Sequence, residues 1–258
     1  MPEGDTILRT ARRIAPVLVG NVPDEILTPQ ARHRRDRWPE RLAGRAVRAV
    51  DAHGKHLFLR FEGDLTLHSH LRTTGSWGVY RRGQRWGRSP RRAWLVLRRG
   101  DREVVQFDGP VLELMTESRT RFDRRLAGLG PDILGERFDE AGVLRRLRAD
   151  DPTRPIGDAL LDQRIVAGVG NKWKAEACFD AGLDPFRRTG AVSDEEALAV
   201  LRSGRRDMRA SAQEGRSGRP NAVYRRAGRP CPRCQTRIRS RGQGDDNRIT
   251  YWCPRCQA

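Results

Sequence analysis

Apolar and polar positions recur along this chain with two different periods, and the change of period divides it. Over residues 7–18, Ile7, Leu8, Ala11, Ile14, Ala15 and Leu18 fall at helical spacing, with Arg9, Thr10, Arg12 and Arg13 on the opposite face. Short β-type runs then take over at 46–50, 57–61, 65–71, 94–98, 104–107 and 111–115, parted by breaks such as Glu62-Gly63-Asp64 and Arg99-Gly100-Asp101. That spacing predicts a β-sandwich or barrel. After Gly130-Pro131 the helical period returns at 143–147, 156–165, 173–181 and 194–212, which predicts a second, helical domain from near residue 132. Ser193 with Glu196 forms a capping box for the last of these helices. Residues 213–229, rich in Gly, Arg and Pro, read as a mobile loop, and the tail from Gly228 gathers four cysteines. The expected organisation is α+β and multidomain: a sandwich with flanking helices over 1–131, a helical domain over 132–227 and a small tail over 228–258.

Composition adds a sign to this picture. The 258 residues carry 51 basic against 33 acidic side chains, a formal charge of +18. Only Lys55, Lys172 and Lys174 are lysines, so a codon bias toward arginine competes with a polyanionic partner as the source of the total. The charge is not evenly spread: residues 216–258 hold 11 arginines and 2 aspartates, a formal +9. Such clustering points to phosphates. No apolar run approaches the roughly 18 residues of a membrane span, and the start of the chain lacks a signal-peptide shape. The expectation is a cytoplasmic, nucleoid-associated protein with no membrane partner.

The cysteines give the sharpest local signal. Cys231-Pro-Arg-Cys234, 18 intervening residues and Cys253-Pro-Arg-Cys256 have the spacing of two knuckles that close one tetrahedral site around Zn2+. Four thiolates leave no open position for a catalytic water, so the expected ion is single and structural. The remaining cysteine, Cys178, lies on the apolar face of a predicted helix and reads as core. In Ala167-Gly-Val-Gly-Asn171, glycines before a helix would let backbone N–H groups approach a phosphate, with Asn171 adding an amide donor; the same turn equally suits a plain helix connection. Removal of Met1 would expose the secondary amine of Pro2, and an amine with the usual terminal pKa of about 7.7 to 8.0 is partly neutral and nucleophilic at pH 7. The adjoining helix dipole would lower that value further. Such an amine can attack a sugar C1′ to form an iminium, and Glu3 beside it could move protons. Alone, Pro-Glu is also an ordinary helix-starting dipeptide. Lys55, in Ala52-His-Gly-Lys-His56, is the one lysine before residue 172, either a compact charge with a purpose or a solvated turn residue.

Taken together, Met1-Pro-Glu-Gly4, Gly54-Lys55, Leu160-Leu-Asp-Gln163 with Gly168-Val-Gly-Asn171, and Arg248-Ile-Thr-Tyr-Trp-Cys253-Pro-Arg-Cys-Gln257 resemble the formamidopyrimidine-DNA glycosylase and endonuclease VIII family. The resemblance runs in order through the whole chain. It implies an N-terminal β-sandwich, a helix-two-turn-helix domain and a C-terminal zinc finger, acting as a monomer on damaged DNA bound across the cleft between the two halves. It also implies a bifunctional glycosylase and lyase. Pro2 would attack C1′ of a flipped nucleoside, Glu3 would serve as acid and base, and Lys55 would contact phosphates and support catalysis. Base release and strand cleavage by β,δ-elimination would follow. Asn171 and Arg248 would grip the flanking phosphates, and His70 would lie near the DNA backbone, although a buried strand-end histidine is the common alternative.

Within the family, Met1-Pro-Glu-Gly-Asp-Thr6 resembles the endonuclease VIII branch, which takes oxidised pyrimidines. The purine-type Asp-Pro-Arg-Arg-Phe-Gly segment is replaced by Phe107-Asp-Gly-Pro-Val-Leu112, and no lesion-capping signature is evident in 213–229. Two departures matter. Thr6 stands where much of the family has a second acid. Arg72-Thr73-Thr74 offers no bulky apolar side chain to wedge into the base stack, and flipping costs a few kcal/mol. Either Arg72 fills the gap by stacking, or the substrate is already unstacked, as in abasic sites, bubbles or single strands; the second is the favoured expectation. An abasic-site lyase, a non-catalytic damaged-DNA binder and a zinc-ribbon module for RNA or protein are the rivals.

Overall fold

The computed structural model describes residues 2–215 and 220–257. By its contacts the chain forms two compact units, one of Met1–Pro2 and Thr6–Ala127, the other of Glu3–Asp5 and Gly128–Ala258.

The first unit is a sandwich of two four-stranded antiparallel sheets. One has the order β2-β3-β4-β8, from Val47–His53, His56–Phe61, Leu65–His70 and Val111–Thr116; the other has the order β1-β6-β7-β5, from Glu25–Leu27, Ala93–Arg99, Arg102–Phe107 and Ser76–Arg81. Period-2 alternation does the work expected of it. Leu57, Leu59, Phe61, Leu67, Leu112 and Leu114 meet Leu95, Leu97, Val104 and Trp77 in one core. Helix α1, Gly4–Leu18, adds Ile7, Ala11, Ile14 and Leu18 to that core. Two strands escaped the sequence pattern. β1 has three residues, and β5 is interrupted by Gly78, where a Cβ would come within 2.3 Å of the Tyr80 ring. Small helices α2 (Ala31–Arg35) and α3 (Trp38–Leu42) follow β1, and α4 (Glu117–Phe122) and α5 (Arg124–Ala127) close the unit after β8.

The second unit is helical. α6, Glu140–Arg148, is capped by the Asp139 side chain on Gly142 N–H, and α9, Asp194–Glu214, carries the Ser193–Glu196 capping box in full. The helix expected over 156–165 is only one turn, α7, Ile156–Ala159. It stops because Asp162 turns its carboxylate onto Arg164 N–H while the Gln163 amide spans the carbonyls of Leu161 and Val169, so side chains replace the helical ladder. α8, Asn171–Ala181, is buried nearly all round, with Trp173, Ala175, Ala177, Cys178 and Phe179 inside, and ends on the left-handed Gly182. Cys178 is fully buried, as its helical face predicted, and burial pushes its thiol up to about 12.

The loop expected over 213–229 is corrected at both ends. Gln213 and Glu214 prolong α9 to its Gly215 cap, and Ala222, Val223 and Tyr224 donate their N–H groups to the buried Glu176 carboxylate at 2.7, 3.0 and 2.8 Å. Residues 216–219 lie outside the described residues. Beyond them a two-stranded hairpin, β9 Arg239–Gln243 and β10 Arg248–Trp252, packs with Ala175 and Phe179 of α8 through Ile238, Cys231 and Cys253.

Candidate active site and metal centre

In the second unit the N-terminal residues meet the start of α8. Glu3 is buried, and its carboxylate accepts from Gly170 N–H (3.0 Å), Lys172 N–H (2.9 Å) and Trp173 N–H (3.3 Å). These are the unpaired donors at the positive end of the helix, so an anion belongs there. The next residue is tied as well: Gly4 N–H donates to Gly168 C=O at 2.9 Å, and a Cβ on Gly4 would meet Gly168 Cα at 3.0 Å. Asp5 Oδ2 accepts from Ser211 Oγ of α9 at 2.6 Å. The glycine turn therefore has a different use from the expected one. At Gly170 a Cβ would sit 2.3 Å from Glu3 Cδ, and the N–H groups read as phosphate donors are taken by Glu3. Pro2, half-buried, is one peptide bond from this anchored carboxylate.

Asn171 and Arg248 come to one end of the hairpin. Asn171 Nδ2 donates to Ile249 C=O at 2.7 Å, and its buried Oδ1 has no partner among the described residues. Arg248, next to Ile249, is half-buried and pairs with Asp246 at 3.0 Å. Lys174, one turn along α8, carried no signal in the sequence beyond being a lysine. It is fully buried, with Nζ on Thr250 Oγ1 at 2.5 Å and Gln243 Oε1 at 3.2 Å, and burial lowers it to about 8.

In the first unit Lys55, His70 and Arg72 share one end of the β2-β3-β4-β8 sheet. Lys55 occupies the β2–β3 turn after Gly54, whose φ of +56° suits glycine, and His53 pairs with His56, which pairs with His70. Arg72 is exposed with φ +45°, and its N–H donates to His70 Nδ1 at 3.3 Å. His70 therefore carries its proton on Nε2. Burial first, and then the Arg72 charge, depress its pKa to about 4. Behind it runs a chain that the sequence reading missed. His56 Nδ1 lies 2.8 Å from His68 Nε2, and His68 Nδ1 lies 3.4 Å from Glu113 Oε2, which takes Arg125 at 2.8 Å. The acceptor-only carboxylate sets the tautomers: His68 donates from Nδ1, and His56 donates to His68. Burial, then His70 and His68, push His56 down to about 2. The alternation His68-Ser-His70 was the available signal, since it sets both rings on one face of β4.

The Sγ atoms of Cys231, Cys234, Cys253 and Cys256 lie within 4.8 Å of one another, with 3.9 Å between Cys231 and Cys256 and 3.4 Å between Cys234 and Cys253. A tetrahedral thiolate site with metal–sulfur bonds of about 2.3 Å has edges of about 3.8 Å, so the four residues can hold one such ion. Without a cation they cannot all ionise: donors on Thr236 lower Cys234 to about 6, whereas Cys256, bonded to Cys234, is pushed up to about 12.

The formamidopyrimidine-DNA glycosylase N-terminal domain matches residues 1–122, and the formamidopyrimidine-DNA glycosylase H2TH domain matches residues 129–220. The chain belongs to this family. Among its relatives, the probable endonuclease 8 2 of Streptomyces coelicolor is 43% identical over all of this chain and 94% of that protein. The DNA-(apurinic or apyrimidinic site) lyase Nei2 of Mycolicibacterium smegmatis is 37% identical over all of this chain and 99% of its own. The fold matches Lactococcus lactis Fpg solved with abasic-site DNA, at a TM-score of 0.84 and 23% identity over 99% of both chains. The family chain described here is thus a DNA-repair enzyme of the glycosylase and abasic-site lyase class. No helix among the described residues is long and apolar enough to cross a membrane.

Proposed function

We propose that the protein is a bifunctional glycosylase and lyase of base excision repair, acting as a monomer in the cytoplasm and nucleoid on damaged DNA, with oxidised pyrimidines as its bases. The observation that carries this reading is the clamped N-terminus: Glu3 held by three helix N–H groups and Gly4 held to Gly168. Such a clamp fixes the direction in which Pro2 leaves the fold, and orientation is worth a large part of a barrier.

Once Met1 is removed, the Pro2 nitrogen loses its proton and bonds to C1′ as the C1′–base bond breaks and the base departs with a proton; the C1′–O4′ bond then opens, O4′ takes a proton, and the nitrogen lone pair forms the C1′=N double bond. The resulting iminium acidifies C2′–H; its loss expels the 3′ phosphate, and a second elimination expels the 5′ phosphate. The Glu3 carboxylate, held by three backbone N–H groups, is the group that serves the proton transfers. Lys55 and the neutral Nε2–H of His70 serve the backbone in the first unit, with Arg72 beside them, and Asn171 and Arg248 serve it in the second. One Zn2+ bound by Cys231, Cys234, Cys253 and Cys256 supplies structure only. The domain reading remains a catalytic sandwich over 1–131, a helix-two-turn-helix domain over 132–227 and a finger over 228–258.

A second reading, an abasic-site lyase on substrates already unstacked, is favoured by the turn 72–74, where Arg72, Thr73 and Thr74 are all exposed and none is apolar. Borohydride trapping separates the two. Wild type should form a covalent adduct with oligonucleotides bearing an abasic site or an oxidised pyrimidine, and Pro2→Gly and Glu3→Gln should lose it. Adducts on the abasic site alone would establish the lyase; none on either would leave a DNA-binding protein without the chemistry.

A further inference from the structure

The end of β5 and the loop that joins it to β6, residues 81–92 and called the loop below, contain Arg81, Arg82, Arg85, Arg88, Arg91 and Arg92 and no acidic residue. It is firmly anchored. Trp86 lies over the outer side of its sheet, 5.7 Å from the Phe107 ring and 6.4 Å from Tyr80, and its Nε1–H donates to the buried Glu103 at 2.9 Å. Gly87 N–H donates to the Tyr80 hydroxyl. Toward its end, Arg88 and Arg92 share Asp108 at 2.7 and 2.6 Å, and Arg88 also donates to Thr74 C=O at 2.8 Å. The loop and the turn 72–74 are therefore tied into one surface.

The six arginines fall into two groups. Arg88 and Arg92 are used on Asp108, and Arg82 lies 3.7 Å from Glu25. Arg81, Arg85 and Arg91 are exposed and have no acidic partner among the described residues. A codon bias toward arginine would account for arginine in place of lysine. It does not explain three unneutralised guanidinium groups carried on a backbone held by Trp86 and joined to the turn that bears Arg72.

We propose that this loop is a second DNA-contact surface, in which Arg81, Arg85 and Arg91 bind phosphates of the duplex beyond the damaged step. The inference rests on the proposed reading that damaged DNA is the substrate. The Arg88–Thr74 bond favours DNA over an acidic protein, because it makes the loop continuous with the end of the sheet that carries Lys55 and His70. Guanidinium forks suit phosphate oxygens.

The test uses the full-length, zinc-loaded protein and the triple variant Arg81→Gln, Arg85→Gln, Arg91→Gln. Binding is measured against salt on duplexes of about one and about three helical turns, abasic-site analogue and undamaged, with borohydride trapping on a short abasic duplex. Each phosphate contact contributes about 0.9 to the slope of log K against log salt. The variant should therefore lose about two to three from its slope on the long duplexes, with short-duplex binding and trapping unchanged. An unchanged slope on long duplexes overturns the proposal, as does an equal loss on short and long ones, which would place the loop at the lesion itself. Loss of binding to polyglutamate with DNA binding intact would assign the loop to an acidic protein and also overturn it. If wild type fails to trap, the catalytic reading falls, and the slopes on undamaged duplex still decide the loop. Should the triple variant unfold, Arg85→Gln alone should lose about one from the slope.

Discussion

At the scale of single residues the histidines of the first unit are the most exposed to pH. His56 titrates near 2 and His70 near 4 in the folded chain, against an ordinary value of 6.5. Below about 6.5 the unfolded chain takes up protons that the folded rings refuse, so their contribution is complete above that pH and is lost as pH falls toward 4 and then 2. The melting temperature should drop steadily over this acid range. His56→Gln, which keeps a donor toward His68, should flatten the decline; an identical pH profile in the variant would show that His56 is not its source. Near neutral pH His70 is a neutral Nε2–H donor, which leaves the charge at this corner to Lys55 and Arg72. The Glu3 carboxylate satisfies a helix end and adjoins Pro2 in the chain.

At the scale of elements, α8 organises the second unit. Its first turn holds Glu3 and Asn171, and its middle holds Lys174 against Thr250 and Gln243 of the hairpin. Thr250 Oγ1 also donates to Gln243 Oε1 at 2.6 Å, so the two hairpin side chains keep a bond without the lysine. Lys174→Met, an apolar replacement of similar volume, should therefore cost less than about 2 kcal/mol, because an ammonium no longer has to be buried. Thr250→Val leaves that ammonium short of an acceptor and should cost about 3 kcal/mol or more. Urea unfolding of both variants measures the difference, and the reverse order would mean that the lysine itself holds the hairpin. The loop between α9 and the finger is likewise governed by α8, since Glu176 gathers three successive backbone N–H groups there.

At the scale of the whole molecule, the cysteines are distributed unevenly. The sandwich core contains no cysteine, whereas Cys231 and Cys253 are core residues of the finger. A strong chelator should abolish DNA binding and the hairpin's circular-dichroism signature while the sandwich still unfolds cooperatively; retained binding after proven zinc loss would refute a structural ion. Much of this architecture was legible in the sequence because it rests on local periodicity. Six strands, the four-cysteine spacing and the Ser193 capping box need only neighbouring residues to be recognised. The short α7, the weak strands β1 and β5 and the pinned segment 222–224 were not legible: side chains of Asp162 and Gln163 replace the helical ladder after α7, β1 is only three residues long, Gly78 packs against a ring in β5, and Glu176, far away in sequence, holds 222–224. The same division holds for the site. The residue order alone supplies the chemical inventory: Pro2, Glu3, the isolated Lys55, the four cysteines, the excess of arginine and, through their succession, the family. Which of these groups meet, and in what state, follows from the fold in three dimensions. The donors of the glycine turn are given to Glu3, 167 residues away from Gly170, and His56, His68 and Glu113 are joined into one hydrogen-bonded chain across three strands. Burial, hydrogen-bond partners and pKa depend on which groups meet in space, and sheet register and helix packing bring them together across separations that no local pattern encodes.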